Sequence, residues 1–113
     1  MHELSLCQQL LAIVQEQALL QGYRRIKTIY LAVGTLALLE KSAMNLSFDV
    51  CAKGTIAEGA ELKYVDVPAT ATCQACQLVV TIHQRYQACP YCHQYLLHVQ
   101  QGNELIIKAM EAY

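Results

Sequence analysis

Cys73-Gln74-Ala75-Cys76 and, after a gap of twelve residues, Cys89-Pro90-Tyr91-Cys92 set four cysteines in two Cys-x-x-Cys pairs. Each pair can curl into a tight knuckle whose two sulfurs converge on one ion. Two facing knuckles complete a tetrahedral shell of four thiolates. The gap is slightly shorter than in most two-knuckle zinc sites and suits one short hairpin that brings the second knuckle back to the first. The pattern predicts structural zinc at Cys73, Cys76, Cys89 and Cys92. A closed shell of four thiolates has no open position, so the chemistry of the protein is expected elsewhere.

Working outward, residues 78–83 and 95–99 read as short strands beside the knuckles. Few large apolar residues accompany them, so this piece cannot build a core by itself. Zinc ligation, worth on the order of 10 kcal/mol or more in small zinc modules, would supply the missing stability. Before it, residues 61–67 alternate Leu62, Tyr64 and Asp66 against Lys63, Val65 and Val67 and end at Pro68, as a strand does. After it, Gln101, Gly102 and Asn103 punctuate the chain, and Leu105, Ile106 and Ile107 begin a final strand apolar enough to need a sheet.

At the other end, Leu4, Cys7, Leu11, Val14 and Ala18 recur at three- and four-residue steps over residues 3–21, an amphipathic helix that Gly22 stops. Residues 26–34 are rich in β-branched and aromatic side chains and predict a buried strand. Residues 42–53 carry two patterns. Leu46, Phe48 and Val50 alternate as in a strand, whereas Met44, Phe48 and Cys51 fit a helical stripe. Ser42 as N-cap and Gly54 as a stop favour helix, which completes a strand–helix–strand crossover. The expected fold is therefore α+β: a small mixed three-stranded sheet with two helices, plus an inserted zinc-ribbon-like four-cysteine domain. Residues 1–68 and 103–113 would form one domain and residues 69–102 the other, joined by chain crossings near 68–72 and 100–103.

Of the 113 residues 55% are hydrophobic and the formal net charge is -1. So balanced a chain offers no electrostatic footprint for nucleic acid or an anionic membrane. Between the first and last cysteine of the zinc segment the charged residue is Arg85 alone. Glu3, Gln8, Gln9, Gln15, Glu16 and Gln17 interrupt the first twenty residues, so no secretory signal is expected, and no segment is long and apolar enough to span a bilayer. The expected location is the cytoplasm, where six cysteines serve as metal ligands and buried thiols in preference to disulfides. A monomer or weak homodimer is expected.

Met1-His2-Glu3 opens a second line of reasoning. The α-amine of Met1 and the amide and imidazole nitrogens of His2 are close along the chain and can chelate one ion in fused rings. Nitrogen ligands in a plane suit Ni(II) or Cu(II) and not tetrahedral zinc. The Glu3 amide, another side chain or water would fill a fourth position. The same three residues also suit a frayed helix start, with Glu3 favoured by the positive end of the helix dipole. The tripeptide alone does not choose between these readings.

Met1-His2-Glu3-Leu4-Ser5-Leu6, Val33-Gly34-Thr35-Leu36, the run Gly54-Thr55-Ile56-Ala57-Glu58-Gly59-Ala60 and Cys89-Pro90-Tyr91-Cys92, taken in this order, resemble the HypA/HybF family of hydrogenase-maturation nickel metallochaperones. The resemblance extends over essentially the whole chain. It implies helices on a small mixed sheet with an inserted zinc domain, nickel carried at Met1 and His2, and Glu3 adjoining that site and helping it engage a GTPase partner. It implies zinc at the four cysteines. The implied clients are nickel-iron hydrogenase large-subunit precursors and, in some organisms, urease with its maturation proteins.

The remaining candidates have plainer readings. Cys7 and Cys51 fall on apolar helix faces as buried small hydrophobes. Cys89 to His93 formally match covalent haem attachment, which would orphan Cys73 and Cys76 and require export. His93 is either a replacement ligand, a hydrogen-bond donor to a thiolate, or a surface residue; His83 and His98 are surface or packing residues. A thiol oxidoreductase needs one reactive Cys-x-x-Cys, whereas two pairs closed on zinc are redox-quiet. A zinc-ribbon interaction or nucleic-acid module without nickel is the alternative function, and metal content separates it from nickel delivery. No catalytic nucleophile or acid–base pair appears, so no enzyme is predicted.

Overall fold

The computed structural model describes residues 2–102 and 105–113, with His2 described through its backbone. Two helices, α1 (His2–Gln21) and α2 (Lys41–Ala52), accompany six strands: β1 (Ile26–Gly34), β2 (Glu61–Val67), β3 (Ala69–Cys73), β4 (Val79–Ile82), β5 (Leu97–Gln101) and β6 (Leu105–Ala112). The strands form two three-stranded sheets, ordered β2-β1-β6 and β4-β3-β5. The last strand thus joins the N-terminal sheet, as its apolar composition demanded. The chain divides into two compact units, one of Met1–Leu31, Leu39–Tyr64 and Ile107–Tyr113, the other of Ala32–Leu38 and Val65–Ile106.

In the first unit α1 packs against α2. Cys7, Leu10, Leu11, Val14 and Ala18 are buried along α1, and Met44, Phe48 and Ala52 along α2. These are the i, i+3, i+4 positions of an amphipathic helix, and fully burying a side chain such as Phe48 contributes about 1.5–3 kcal/mol. Helix α1 ends in a Schellman turn. Gly22 takes φ 73°, its N–H reaches the Leu19 carbonyl at 3.3 Å, and the Tyr23 N–H reaches the Ala18 carbonyl at 2.9 Å.

Helix α2 resolves the double pattern of residues 42–53 in favour of helix, leaving Leu46 and Val50 exposed. Its cap differs from expectation. Glu40, not Ser42, is the N-cap, and its carboxylate accepts from both the backbone N–H and the hydroxyl of Ser42. A glutamate side chain is long enough to reach back over the first turn, and its charge suits the positive helix end. Cys51 is half-buried, because Ala52 and not Cys51 continues the Met44–Phe48 stripe. Strand β6 is fastened to β1 by the Tyr30 hydroxyl, which donates to Glu111 at 2.6 Å, and Lys63 of β2 lies over the Tyr30 ring.

In the second unit the central strand, β3, stands where sequence suggested only a chain crossing. Ala69-Thr70-Ala71-Thr72-Cys73 alternates strictly, with Ala69, Ala71 and Cys73 buried. Alanine is poor strand material, which hid a period-two pattern that the pairing on both sides enforces. Strand β3 runs antiparallel to β4, with Ala71 opposite Val80 and Ala69 opposite Ile82. It also runs antiparallel to β5, with Cys73 opposite Leu97 and a bulge between Thr70 and Ala71. Leu36, Val80, Ile82 and Cys89 complete this small core, with Leu97 and Val99 packed on it. Gly102 closes the bulged end at φ 119°, and a Cβ there would lie 2.5 Å from the Ala69 Cβ.

Candidate metal centre

The four cysteines predicted as ligands come together. Their sulfurs all lie within 4.8 Å of one another, with Cys73 and Cys89 buried and Cys76 and Cys92 half-buried. The Cys73–Cys92 and Cys76–Cys89 sulfurs are 3.5 Å and 3.7 Å apart. Four thiolates bound tetrahedrally at about 2.3 Å from one ion sit about 3.8 Å from each other. The cage therefore has the dimensions of a tetrahedral thiolate shell.

Two loops of identical design build it. The Cys73 N–H donates to the Leu78 carbonyl and the Cys89 N–H to the Gln94 carbonyl, both at 2.9 Å. The Gln77 N–H returns to the Cys73 carbonyl at 2.8 Å and the His93 N–H to the Cys89 carbonyl at 2.9 Å. In each loop the residue after the second cysteine enters the left-handed region, Gln77 at φ 65° and His93 at φ 63°. That conformation reverses the chain and turns the intervening amides toward the sulfurs.

Those amides bias the thiols. The Cys76 N–H, outweighing burial and aided by the Ala75 N–H, pulls Cys73 down to about 7. The Cys92 and Tyr91 amides lower Cys89 in the same way. The second cysteine of each pair moves oppositely. The Leu78 amide donates to Cys76, yet burial and the neighbouring Cys73 and Cys89 thiols raise it overall. The Gln94 amide on Cys92 is likewise overcome by burial and by Cys73, Cys89 and Cys76, which push Cys92 up to about 12. Amide donation thus favours the thiolate at the first cysteine of each pair, while burial and the sulfur–sulfur hydrogen bonds favour the thiol at the second; a divalent cation bound at the centre would favour the thiolate form of all four.

No histidine belongs to this cluster among the described residues. His93 contributes its backbone, while His83, His93 and His98 all have exposed side chains. The left-handed roles of Gln77 and His93 were not anticipated; the one signal for them was their equivalent position directly after each Cys-x-x-Cys. Cys7 is buried as expected. Its thiol contacts the Met44 carbonyl and sulfur at 3.4 Å and 3.5 Å, and burial, then Cys51 and Glu3, push it up to about 11.

At the other predicted site, α1 begins at His2 and Glu3 lies in its first turn. Met1 and the His2 side chain fall outside the described residues, while Glu3 is half-buried. No helix among the described residues is long and apolar enough to cross a membrane.

Comparison with known proteins extends these findings to the whole chain. The family described as "Hydrogenase/urease nickel incorporation, metallochaperone, hypA" matches residues 1–112. The chain is 43% identical over 111 residues to the hydrogenase maturation factor HybF of Escherichia coli strain K12, covering 98% of each chain. It is 40% identical over 111 residues to the hydrogenase maturation factor HypA of Azotobacter chroococcum, again over 98% of each. Its fold resembles a solution structure of HypA protein at a TM-score of 0.75 and 25% identity, covering 100% of this chain and 97% of the other. It also resembles that of the Ni metallochaperone HypA from Helicobacter pylori, at a TM-score of 0.70 and 23% identity, over 97% of this chain and 96% of that one.

Proposed function

Because the chain belongs to the hypA family of nickel-incorporation metallochaperones acting in hydrogenase maturation, we propose that it binds Ni(II) at its N-terminus and delivers it to the nickel-iron hydrogenase large-subunit precursor. The Met1 amine and the His2 amide and imidazole would hold the ion, with Glu3 adjoining and helping engage a GTPase partner. Urease maturation proteins are further candidate partners. Residues 69–102 would form a zinc-binding domain inserted between strands of the first sheet, its zinc fixed by Cys73, Cys76, Cys89 and Cys92.

The observation that carries this reading is a family match spanning residues 1–112, from Met1 through both Cys-x-x-Cys pairs. Zinc fits the cage because it tolerates four thiolates in a tetrahedron without redox chemistry. Nickel delivery asks for the opposite kind of site. Few, flexible and accessible ligands let a docking protein replace them one at a time. Since nitrogen ligands bind Cu(II) more tightly than Ni(II), selectivity rests on metal availability and partner recognition.

Calorimetric nickel titration of the chain with and without one extra residue before Met1 tests the proposal. The extended chain should lose specific nickel binding and keep one zinc per chain by metal analysis. In the unextended chain, nickel affinity should fall as pH drops from about 8 to about 6, because the amine (about 7.7–8.0) and imidazole (about 6.5) must give up protons. Equal nickel affinity in both chains refutes the terminal chelate.

A further inference from the structure

We propose that the β6 edge of the first sheet, together with the outer face of α1, is a docking groove for an extended acidic segment of a partner protein. Strand β6 ends the order β2-β1-β6. A groove of about 470 Å³ runs along it, lined by Ile13, Gln17, Gln21 and Tyr23 on one wall and by Ile107, Lys108, Ala109 and Met110 on the other.

Side chains of a strand alternate between faces, so four consecutive lining residues mean that the groove runs along the strand's edge and its backbone. An edge of this kind is a template for one more strand. The opposite wall adds apolar contacts at Ile13 of α1 and at Tyr23 just beyond its end, both partly exposed, and two carboxamides that can pair with a peptide backbone. Lys108 is the one charged side chain lining the groove among the described residues. It both guards the edge against indiscriminate pairing and selects a segment carrying a carboxylate.

A second copy of the chain does not meet that requirement. Two β6 strands pairing antiparallel are related by a two-fold axis normal to the sheet, which keeps every side chain on its own face. Directly opposed residues then share parity. Lys108 would face Ile106, Lys108, Met110 or Ala112 of the second copy, and never Glu111. Self-pairing thus leaves the lysine without its carboxylate, and an acidic segment of another protein is the complementary occupant. This inference does not depend on nickel at the N-terminus, and its test involves no metal beyond that of the protein as purified.

The probe is an acetylated, amidated heptapeptide alternating valine with glutamate, compared with counterparts carrying glutamine or lysine. Each is titrated to about 1 mM into the whole chain, near the weak limit of measurable affinity, and followed by amide chemical shifts and hydrogen exchange. The glutamate peptide should shift residues 107–110 and Gln17 and Gln21, and slow exchange at alternate β6 amides. It should bind about two- to fivefold more tightly than the glutamine peptide at low salt, the range of an exposed ion pair, and this preference should fade at high salt. Lys108→Glu, a change at an exposed position, should reverse the order of the glutamate and lysine peptides. Absence of shifts along β6, or equal binding of all three peptides, overturns the proposal. So does β6 protection that rises with protein concentration in the absence of peptide, since the edge would then belong to a second copy.

Discussion

Replacing His93 by glycine should strengthen the metal-bound knuckle, although histidine is the residue there with the more obvious chemistry. At φ 63° an L-residue bears a penalty of about 1–2 kcal/mol for its left-handed backbone. Glycine adopts that conformation freely but loses about 0.5–1 kcal/mol more on ordering than alanine does. The difference leaves His93→Gly more stable by about 0.5–1 kcal/mol, or about a two- to fivefold tighter hold on the ion where binding and folding are coupled. His93→Ala keeps the penalty and should change little. Gln77→Gly, in the equivalent place of the other loop, should reproduce the gain. Competition with a chromogenic chelator measures the affinity, and the charge-transfer bands of the Co(II)-substituted protein report the number of thiolates. Loss of metal in both His93 variants, or an altered cobalt spectrum in either, would show that the imidazole is a ligand and that the backbone argument is mistaken.

Gly102→Ala should be among the most damaging single-methyl additions, since a Cβ there lies 2.5 Å from one buried side-chain atom and 2.6 Å from the Ala69 Cα. A cost of about 3 kcal/mol or more is expected, read as a lower midpoint of thermal unfolding. An unchanged midpoint would mean the bulge relaxes freely. Cys7, raised to about 11 in the folded chain against an ordinary 9, is held as the neutral thiol. Its contribution to stability is therefore complete below pH 9 and is lost as pH rises from 9 towards 11. Cys7→Ala should flatten the stability profile over that interval; an unchanged slope would deny the thiol this role.

Sequence reached most of the elements because their periodicities were unambiguous, as in α1 and β2. It failed where small residues carried the structure. Strand β3 is built from alanine, threonine and one cysteine, so no large side chain announced it, and only pairing with β4 and β5 gives its alternation meaning. In α2 the two periodicities shared Phe48, and what separates them is which neighbours are buried, a property of packing. The cap fell on Glu40 because side-chain reach, which composition does not encode, decided the first turn. The clustering of Cys73, Cys76, Cys89 and Cys92 was legible because coordination chemistry dictates the spacing of such a set. Gln77 and His93 were not, since backbone handedness is legible mainly when the residue is glycine. The proposed nickel site rests on Met1-His2-Glu3 and the family alone, because Met1 and the His2 side chain lie outside the described residues.

The unequal burial within each knuckle imposes a direction on ligand exchange. Cys76 and Cys92 are the half-buried members and Cys73 and Cys89 the enclosed ones. An incoming thiol or chelator therefore meets one outer sulfur from each loop before it can reach either inner one. Displacement of a bound ion would then proceed stepwise through a species still anchored by Cys73, at the end of β3, and Cys89, in the second loop, one sulfur from each half of the cage. As long as that anchored species re-formed its outer bonds faster than a second competitor arrived, a metal-loaded centre would resist stripping by a kinetic route. Retention of the ion would then be governed by the lifetime of a two-sulfur intermediate as much as by equilibrium affinity.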